Sequence, residues 1–214
     1  MVAEMAHIFL TDAQEMPARE EPADYFAMLV ARACAGDALA FERMMLVTEQ
    51  RVVSIAWRML GNRDDARDAA QEVYLRVFKY LARFRAGEDF RAWLYRITIN
   101  VCHDFARKRR RTCVTPFAEN EFGSETANFE VARDGGDPET LALHAQQFAL
   151  LRRALQSLPV KERAALVLRD LEGFSTEEVA RMLGSRPVTV RSQVSSARAK
   201  IKTFCDKFLR KRGG

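Results

Sequence analysis

The stretch Ser175-Thr176-Glu177-Glu178-Val179-Ala180-Arg181-Met182-Leu183-Gly184-Ser185-Arg186-Pro187-Val188-Thr189-Val190-Arg191-Ser192 decides how this 214-residue chain is read. Ser175 and Glu178 form a capping-box pattern, in which each side chain satisfies the other residue's backbone N–H at a helix start. Val179, Ala180, Met182 and Leu183 follow at helical spacing, and Gly184 supplies the stop. Pro187 suits the first turn of a second helix, with Val190, Val194, Ala197, Ile201 and Phe204 as its inward stripe. A short capped helix, a tight turn and a basic second helix make a helix-turn-helix. Its second helix would enter the major groove. Subtracting the inward stripe leaves Thr189, Arg191, Ser192, Ser195, Ser196 and Arg198 facing outward. Arg191 can bond a guanine through both arms of its fork, and each good base contact discriminates by roughly 1–3 kcal/mol. Arg186, Lys200 and Lys202 lie where phosphates would pass. A helical hairpin in a protein-interaction domain is the alternative; capping box, turn and basic second helix together favour DNA.

Upstream, Asp137-Pro138 is an N-cap followed by proline at the first helical position. Leu141, Phe148, Leu151, Leu155 and Leu158 give that helix its apolar stripe, Pro159 breaks it, and Lys161 to Leu171 forms the next. Residues 138–214 therefore read as a four-helix unit. From Thr112 to Asp137 the composition shifts to Thr115-Pro116, Gly123-Ser124 and Gly135-Gly136, with Glu119, Glu121, Glu125, Glu130 and Asp134 against a lone Arg133. Residues 112–137 read as a flexible acidic linker, longer than an ordinary tight connection.

Four helical patterns fill residues 25–111. Tyr25 to Ala35 stops at Gly36, and Asp37 caps a helix carrying Leu39, Phe41, Met45, Val52, Ile55, Ala56 and Met59. Gly61-Asn62 ends that helix and caps the third, which buries Ala66, Ala69, Val73, Val77 and Leu81. A loop from Arg85 to Asp89 leads to the fourth, about Phe90 to Arg110, with Trp93, Leu94, Ile97, Val101 and Phe105 on one face. Residues 1–24 are acidic and aperiodic, with Pro17 and Pro22, and read as a mobile tail. No strand pattern appears. The fold class is all-α, in two helical domains.

Composition narrows the function. With 48% hydrophobic and 29% charged residues the chain can bury a core. No run of about 18 apolar residues suggests a membrane span. The start Met1-Val2-Ala3-Glu4 is a poor secretion signal, so a cytoplasmic location is expected. Cys34, Cys102, Cys113 and Cys205 form no CxxC pair and read as reduced packing thiols. A net charge of +5 is weak evidence for a nucleic-acid partner; its placement says more. Arg91, Arg96, Arg107, Lys108, Arg109, Arg110 and Arg111 share the fourth helix with Phe90, Trp93, Tyr95 and Phe105. Cations track a phosphate backbone and aromatics can stack on bases, although Trp93 and Phe105 fall on the core face. Asn100 lies off that face, its amide suited equally to a base edge or to a backbone group.

The third helix carries Asp64, Asp68 and Glu72 at four-residue spacing, with Asp65 and Gln71 beside them. Such a stripe can hold a hard cation, dock a basic partner helix or simply face solvent. No second helix offers matching ligands, so no metal is expected. His103-Asp104 resembles a hydrolase dyad, but no nucleophile–base pair and no phosphate-cradling glycine loop accompany it, so no enzyme is expected.

Three segments together resemble the extracytoplasmic-function (ECF) sigma factors of bacterial RNA polymerase. They are Gly61-Asn62-Arg63-Asp64-Asp65-Ala66-Arg67-Asp68-Ala69-Ala70-Gln71-Glu72-Val73-Tyr74, then Phe90-Arg91-Ala92-Trp93-Leu94-Tyr95-Arg96-Ile97-Thr98-Ile99-Asn100, and finally Leu158-Pro159-Val160-Lys161-Glu162-Arg163 through Thr189-Val190-Arg191-Ser192. The resemblance covers about Ala38 to Phe208, in the family's order. It implies a region 2-like domain at 25–111 and a region 4-like domain at 138–214. The surface Asp64, Asp65, Asp68, Gln71 and Glu72 would grip the coiled coil of the polymerase's largest subunit. The fourth helix, through Asn100, Arg96, Arg107, Lys108, Arg109 and Arg110, would recognise and melt the −10 element, Asn100 at a flipped-out base. The final helix would read the −35 element through Thr189, Arg191, Ser192, Ser195, Ser196 and Arg198, with Arg186 alongside. The acidic linker would thread the RNA exit path, anchored by Phe117, Phe122 and Phe129. The implied partners are core RNA polymerase, promoter DNA and an anti-sigma factor; no cofactor is implied. The tail is longer than the family needs, and the small Ser195-Ser196 pair leaves the −35 sequence open.

Overall fold

A computed structural model describes residues 23–85, 87–112 and 149–212. The expectations for the acidic tail, the linker with its phenylalanines, the Asp137-Pro138 helix start and Cys113 lie outside the described residues. Those described are helical, without strands.

The N-terminal lobe holds α1 (Ala23–Cys34), α2 (Ala38–Leu60), α3 (Arg63–Tyr80) and α4 (Phe90–Thr112). Local chemistry sets the breaks. The Asp37 carboxylate accepts from the Leu39 and Ala40 N–H groups at 3.0 and 3.1 Å, capping α2. Gly61 ends α2 in the left-handed region, φ 82°, its N–H donating to the Trp57 carbonyl at 2.8 Å. Asn62 caps α3 by accepting from the Asp65 N–H at 2.7 Å. Asp89 does the same for α4, accepting from Arg91 N–H at 2.8 Å. The core between α2, α3 and α4 is built from Met44, Val52, Ile55, Val73, Val77, Leu94, Ile99 and Val101. Leu39, expected inside, is 71% exposed, and Met44 takes the buried position. A buried hydrogen bond between the Thr48 and Tyr74 hydroxyls, at 2.9 Å, ties α2 to α3.

The C-terminal lobe begins with helical residues 149–156 (α5), then α6 (Val160–Leu166), whose end widens into a π-helical turn over Val167–Leu171. There the Glu172 N–H reaches back five residues to the Val167 carbonyl, 3.0 Å. α7 (Thr176–Leu183) and α8 (Pro187–Arg212) complete it. The predicted capping box is formed: Ser175 N–H donates to Glu178 Oε2 at 2.7 Å and Glu178 N–H to Ser175 Oγ at 3.2 Å. Gly184, φ 59°, closes α7. Val179, Val190 and Ala197 are fully buried between α7 and α8, as the periodicity predicted.

The sequence reading joined the two lobes only through the linker. The structure adds a direct contact: one continuous core runs from Leu29 to Ala197, with α6 against α2, α7 against α4, and Phe174 in the turn between α6 and α7 on Tyr95 of α4. Gly61 lies at this contact, where a Cβ would come within 2.6–2.8 Å of the Gln156 side chain. That side chain is itself held, its Nε2 donating to the Arg58 carbonyl at 3.2 Å.

Candidate nucleic-acid and partner interfaces

The acidic stripe splits in two. Asp64, Asp68 and Gln71 face solvent from α3. Asp65 turns inward: it accepts from the Asn62 amide and pairs with Arg109 of α4 at 3.2 Å, so it fixes the helix start against the neighbouring helix. Glu72 pairs with Arg76 at 2.7 Å, and Arg76 also bridges to Asp104 at 3.0 Å. Among the described residues no group of His, Cys, Asp or Glu is arranged to hold a metal ion.

The same face continues into residues that the charge pattern concealed. Leu75 and Phe78 lie one and two turns beyond Gln71 and are 67% and 69% exposed. The Phe78 ring packs edge-on against Phe41 of α2, centroids 5.3 Å apart. Asp64, Asp68, Gln71, Leu75 and Phe78 thus form a single ridge, acidic at its N-terminal end and apolar at the other. An i, i+4 count of apolar residues on α3 would have put Leu75 and Phe78 off the buried stripe of Ala66, Ala69, Val73 and Val77.

On α4, Asn100 and Arg96 are exposed, and the Asn100 amide makes no hydrogen bond among the described residues. Arg107 and Arg109 are exposed but engaged, with Asp104 at 2.9 Å and with Asp65. Lys108 is exposed; the Arg110 side chain lies outside the described set. Phe90 and Trp93 pack into an aromatic cluster with Phe84, centroids 5.3–5.5 Å apart, and serve the fold as structural packing. His103 and Asp104 make no dyad: both Asp104 oxygens are taken by Arg76 and Arg107. His103 Nε2 is buried without a hydrogen-bond partner among the described residues, and burial, aided by Lys161 and opposed by Asp104, holds its pKa below the ordinary range. Cys102 is 1% exposed, and burial pushes its thiol up to about 12.

On α8, Thr189, Arg191, Ser192 and Ser195 are exposed and Ser196 half-buried, with Arg186 exposed at the preceding turn. Arg191 is 62% exposed and pairs with exposed Glu177 at 3.4 Å, a contact that water screens. Val188, beside them, is an apolar side chain left 68% exposed. Arg198 and Lys200 differ from the rest. Arg198 holds both oxygens of nearly buried Asp170, at 2.7 and 2.8 Å, which raises its pKa. Lys200 holds Glu162 at 2.7 and 2.8 Å. Both fasten α8 to the α6 segment, while the exposed side chains in the N-terminal half of α8 make no such tie.

Comparison with known proteins identifies both lobes. The family model for Sigma-70 region 2 matches residues 46–112, and that for Sigma-70 region 4 matches residues 148–201. The ECF RNA polymerase sigma factor SigE of Mycolicibacterium smegmatis is 36% identical over 73% of this chain, which spans 58% of that relative's length. The RNA polymerase sigma-H factor of Pseudomonas aeruginosa is 32% identical over 85% of this chain and 94% of its own. The ECF RNA polymerase sigma-E factor of Escherichia coli is 30% identical over 86% and 96%. Among solved structures, the sigma factor RpoE of Bartonella quintana in complex with the anti-sigma factor NepR shares the fold, with a TM-score of 0.61 and 24% identity over 78% of this chain and 96% of that one.

Proposed function

This chain belongs to the ECF RNA polymerase sigma factors, and from that premise we propose how its residues divide the work. As a sigma factor it is a non-catalytic subunit that directs promoter-specific transcription initiation by RNA polymerase. Residues 25–111 act as region 2 and 138–214 as region 4.

The ridge of Asp64, Asp68, Gln71, Leu75 and Phe78 binds core polymerase. Its carboxylates steer a basic partner helix, and its apolar end supplies the buried area. Asp65 and Glu72 support this surface by fixing α3 to α4. Asn100 takes a −10 base extruded from the duplex, while Arg96 and the cations at the end of α4 hold the flanking phosphates. Extrusion costs a few kcal/mol, which a donor–acceptor amide and phosphate contacts return. The N-terminal half of α8 lies in the major groove at the −35 element, Arg191 on a base edge and Arg186 on a phosphate. Residues 112–137 thread the RNA exit path. An anti-sigma factor covers these surfaces in the uninduced state, by likeness to the Bartonella quintana complex. The protein acts in the cytoplasm; no described helix is long and apolar enough to cross a membrane.

One observation carries this reading. Asn100, the α3 ridge and the N-terminal half of α8 are all exposed, whereas the residues between them build the core. The test is Asn100→Ala in permanganate footprinting of promoter complexes with core polymerase. Reactivity of −10 thymines should fall sharply while co-elution with core is unchanged. Wild-type reactivity in the variant would refute the Asn100 assignment.

A further inference from the structure

The contact between the lobes sets charged groups into the continuous core. Its centre is Glu172, whose side chain is 0% exposed. One carboxylate oxygen accepts from Arg51 Nε and the other from Arg58 Nη1, both at 2.7 Å. Arg58 is buried, and Arg51 reaches in from the edge of the contact. Two residues on, Phe174 sets its ring edge-on against Tyr95 of α4, centroids 5.8 Å apart at 90°. Gly173, φ 78°, makes the turn that lets the carboxylate and the ring both point at the N-terminal lobe. The π-helical turn before it sets the direction of Glu172. Beside this turn, buried Arg163 donates to the Met59 carbonyl across the contact, and to the Gln156 side-chain oxygen at 2.5 Å and the Gln156 and Leu158 carbonyls at 3.0 Å within its own lobe.

A carboxylate taken from water needs its partners in good geometry, and here both oxygens have them. The same groups are well solvated when apart. Interfaces between domains of one chain are more polar than permanent ones, and the ion pairs at the centre of this contact leave the lobes able to separate. Buried ion pairs are best attested as devices that fix one register of packing. The covered residue, Tyr95, belongs to the helix that carries Asn100 and Arg96, so the docked lobe occupies one flank of the proposed melting helix.

We propose that Glu172-Gly173-Phe174 is an intramolecular latch. In the free chain it seats on Arg51, Arg58 and Tyr95 and holds the C-terminal lobe against α2 and α4. It releases when the two lobes take separate DNA elements on polymerase. The closure stands on the contacts alone; the release rests on the sigma-factor reading.

The test is small-angle X-ray scattering of the full chain, without polymerase or DNA, so its failure leaves the family assignment untouched. The wild-type profile should fit docked lobes. Glu172→Gln leaves two arginines without their anion, and Arg51→Glu sets a second carboxylate against Glu172 from the rim of the contact. Each should raise the radius of gyration by several ångström above wild type while circular dichroism shows unchanged helix content; a compact chain of this length sits at about 17 Å before its tail and linker are counted. If one variant loses helix, the other decides. A wild-type profile that fits separated lobes, or folded variants with wild-type dimensions, would overturn the latch.

Discussion

Replacing Phe78 by alanine separates binding of core polymerase from folding. The ring is 69% exposed in the free chain, so most of its surface remains to be covered by a partner. Full burial of such a side chain is worth about 1.5–3 kcal/mol, and the uncovered share of that is about 1–2 kcal/mol. Converted at 1.4 kcal/mol per decade, Phe78→Ala should weaken the complex with core polymerase by roughly 5- to 30-fold. Asp68→Ala, at an exposed charge, should cost only about 0.2–1 kcal/mol and act mainly on the association rate and its salt dependence. Within the free chain, Phe78→Ala loses the edge-on pair with Phe41, worth about 0.5–1.5 kcal/mol, and the fold should survive it. The assay is titration of fluorescently labelled chain with purified core polymerase at several salt concentrations, with thermal unfolding as the control. Wild-type affinity in a folded Phe78→Ala variant would refute the apolar half of the ridge. An Asp68→Ala defect larger than that of Phe78→Ala would show the division of labour to be reversed.

Three further outcomes are expected. Arg191→Ala should cost roughly 1–3 kcal/mol in promoter binding by the holoenzyme and relax selectivity at one −35 position; a uniform loss across −35 sequences would make Arg191 a phosphate contact. Ser175→Ala should destabilise the C-terminal lobe by about 0.5–2 kcal/mol, seen as a lower unfolding midpoint. Hydrogen bonds from the Ser175 side chain and backbone hold the Glu178 carboxyl below its ordinary range, so its contribution is present above the unfolded-state value and lost as pH falls through the folded-state value. Acid titration by circular dichroism should show this loss in wild type and a smaller one in Ser175→Ala; identical titrations would contradict it. Cys102 should resist alkylation at pH 8 in the native chain and react on unfolding, because its thiol is buried and titrates near 12. Rapid native labelling at that position would contradict its role as a packing residue.

The parts of the fold that were legible in the sequence are those set by local chemistry. Asp37, Asn62, the Ser175–Glu178 box, Gly61 and Gly184 all mark helix ends within a few residues of the groups they satisfy, and each does so in the structure. The outward face of α8 follows from subtracting a periodic stripe. Charge pairing between elements is not legible in the sequence. Arg109, Arg198 and Lys200 are basic residues on outward faces, and each is paired with a carboxylate 28 to 44 positions away. The Glu172 pairs with Arg51 and Arg58 bridge 121 and 114 positions. Nothing in the periodicity of either segment distinguishes those residues from solvated surface charges. Leu75 and Phe78 were missed for the opposite reason: an apolar residue on an exposed face breaks no helix rule, and it signals a partner only when the structure shows it uncovered.

The central claim is that this chain confers promoter choice on a polymerase and has no transcriptional activity of its own. Run-off transcription with purified core polymerase on fragmented genomic DNA, followed by mapping of start sites, tests it most directly. With the chain present, starts should concentrate at a small set of sites sharing two spaced elements, and Arg191→Ala and Asn100→Ala should each diminish them. Starts distributed as with core polymerase alone would contradict the account.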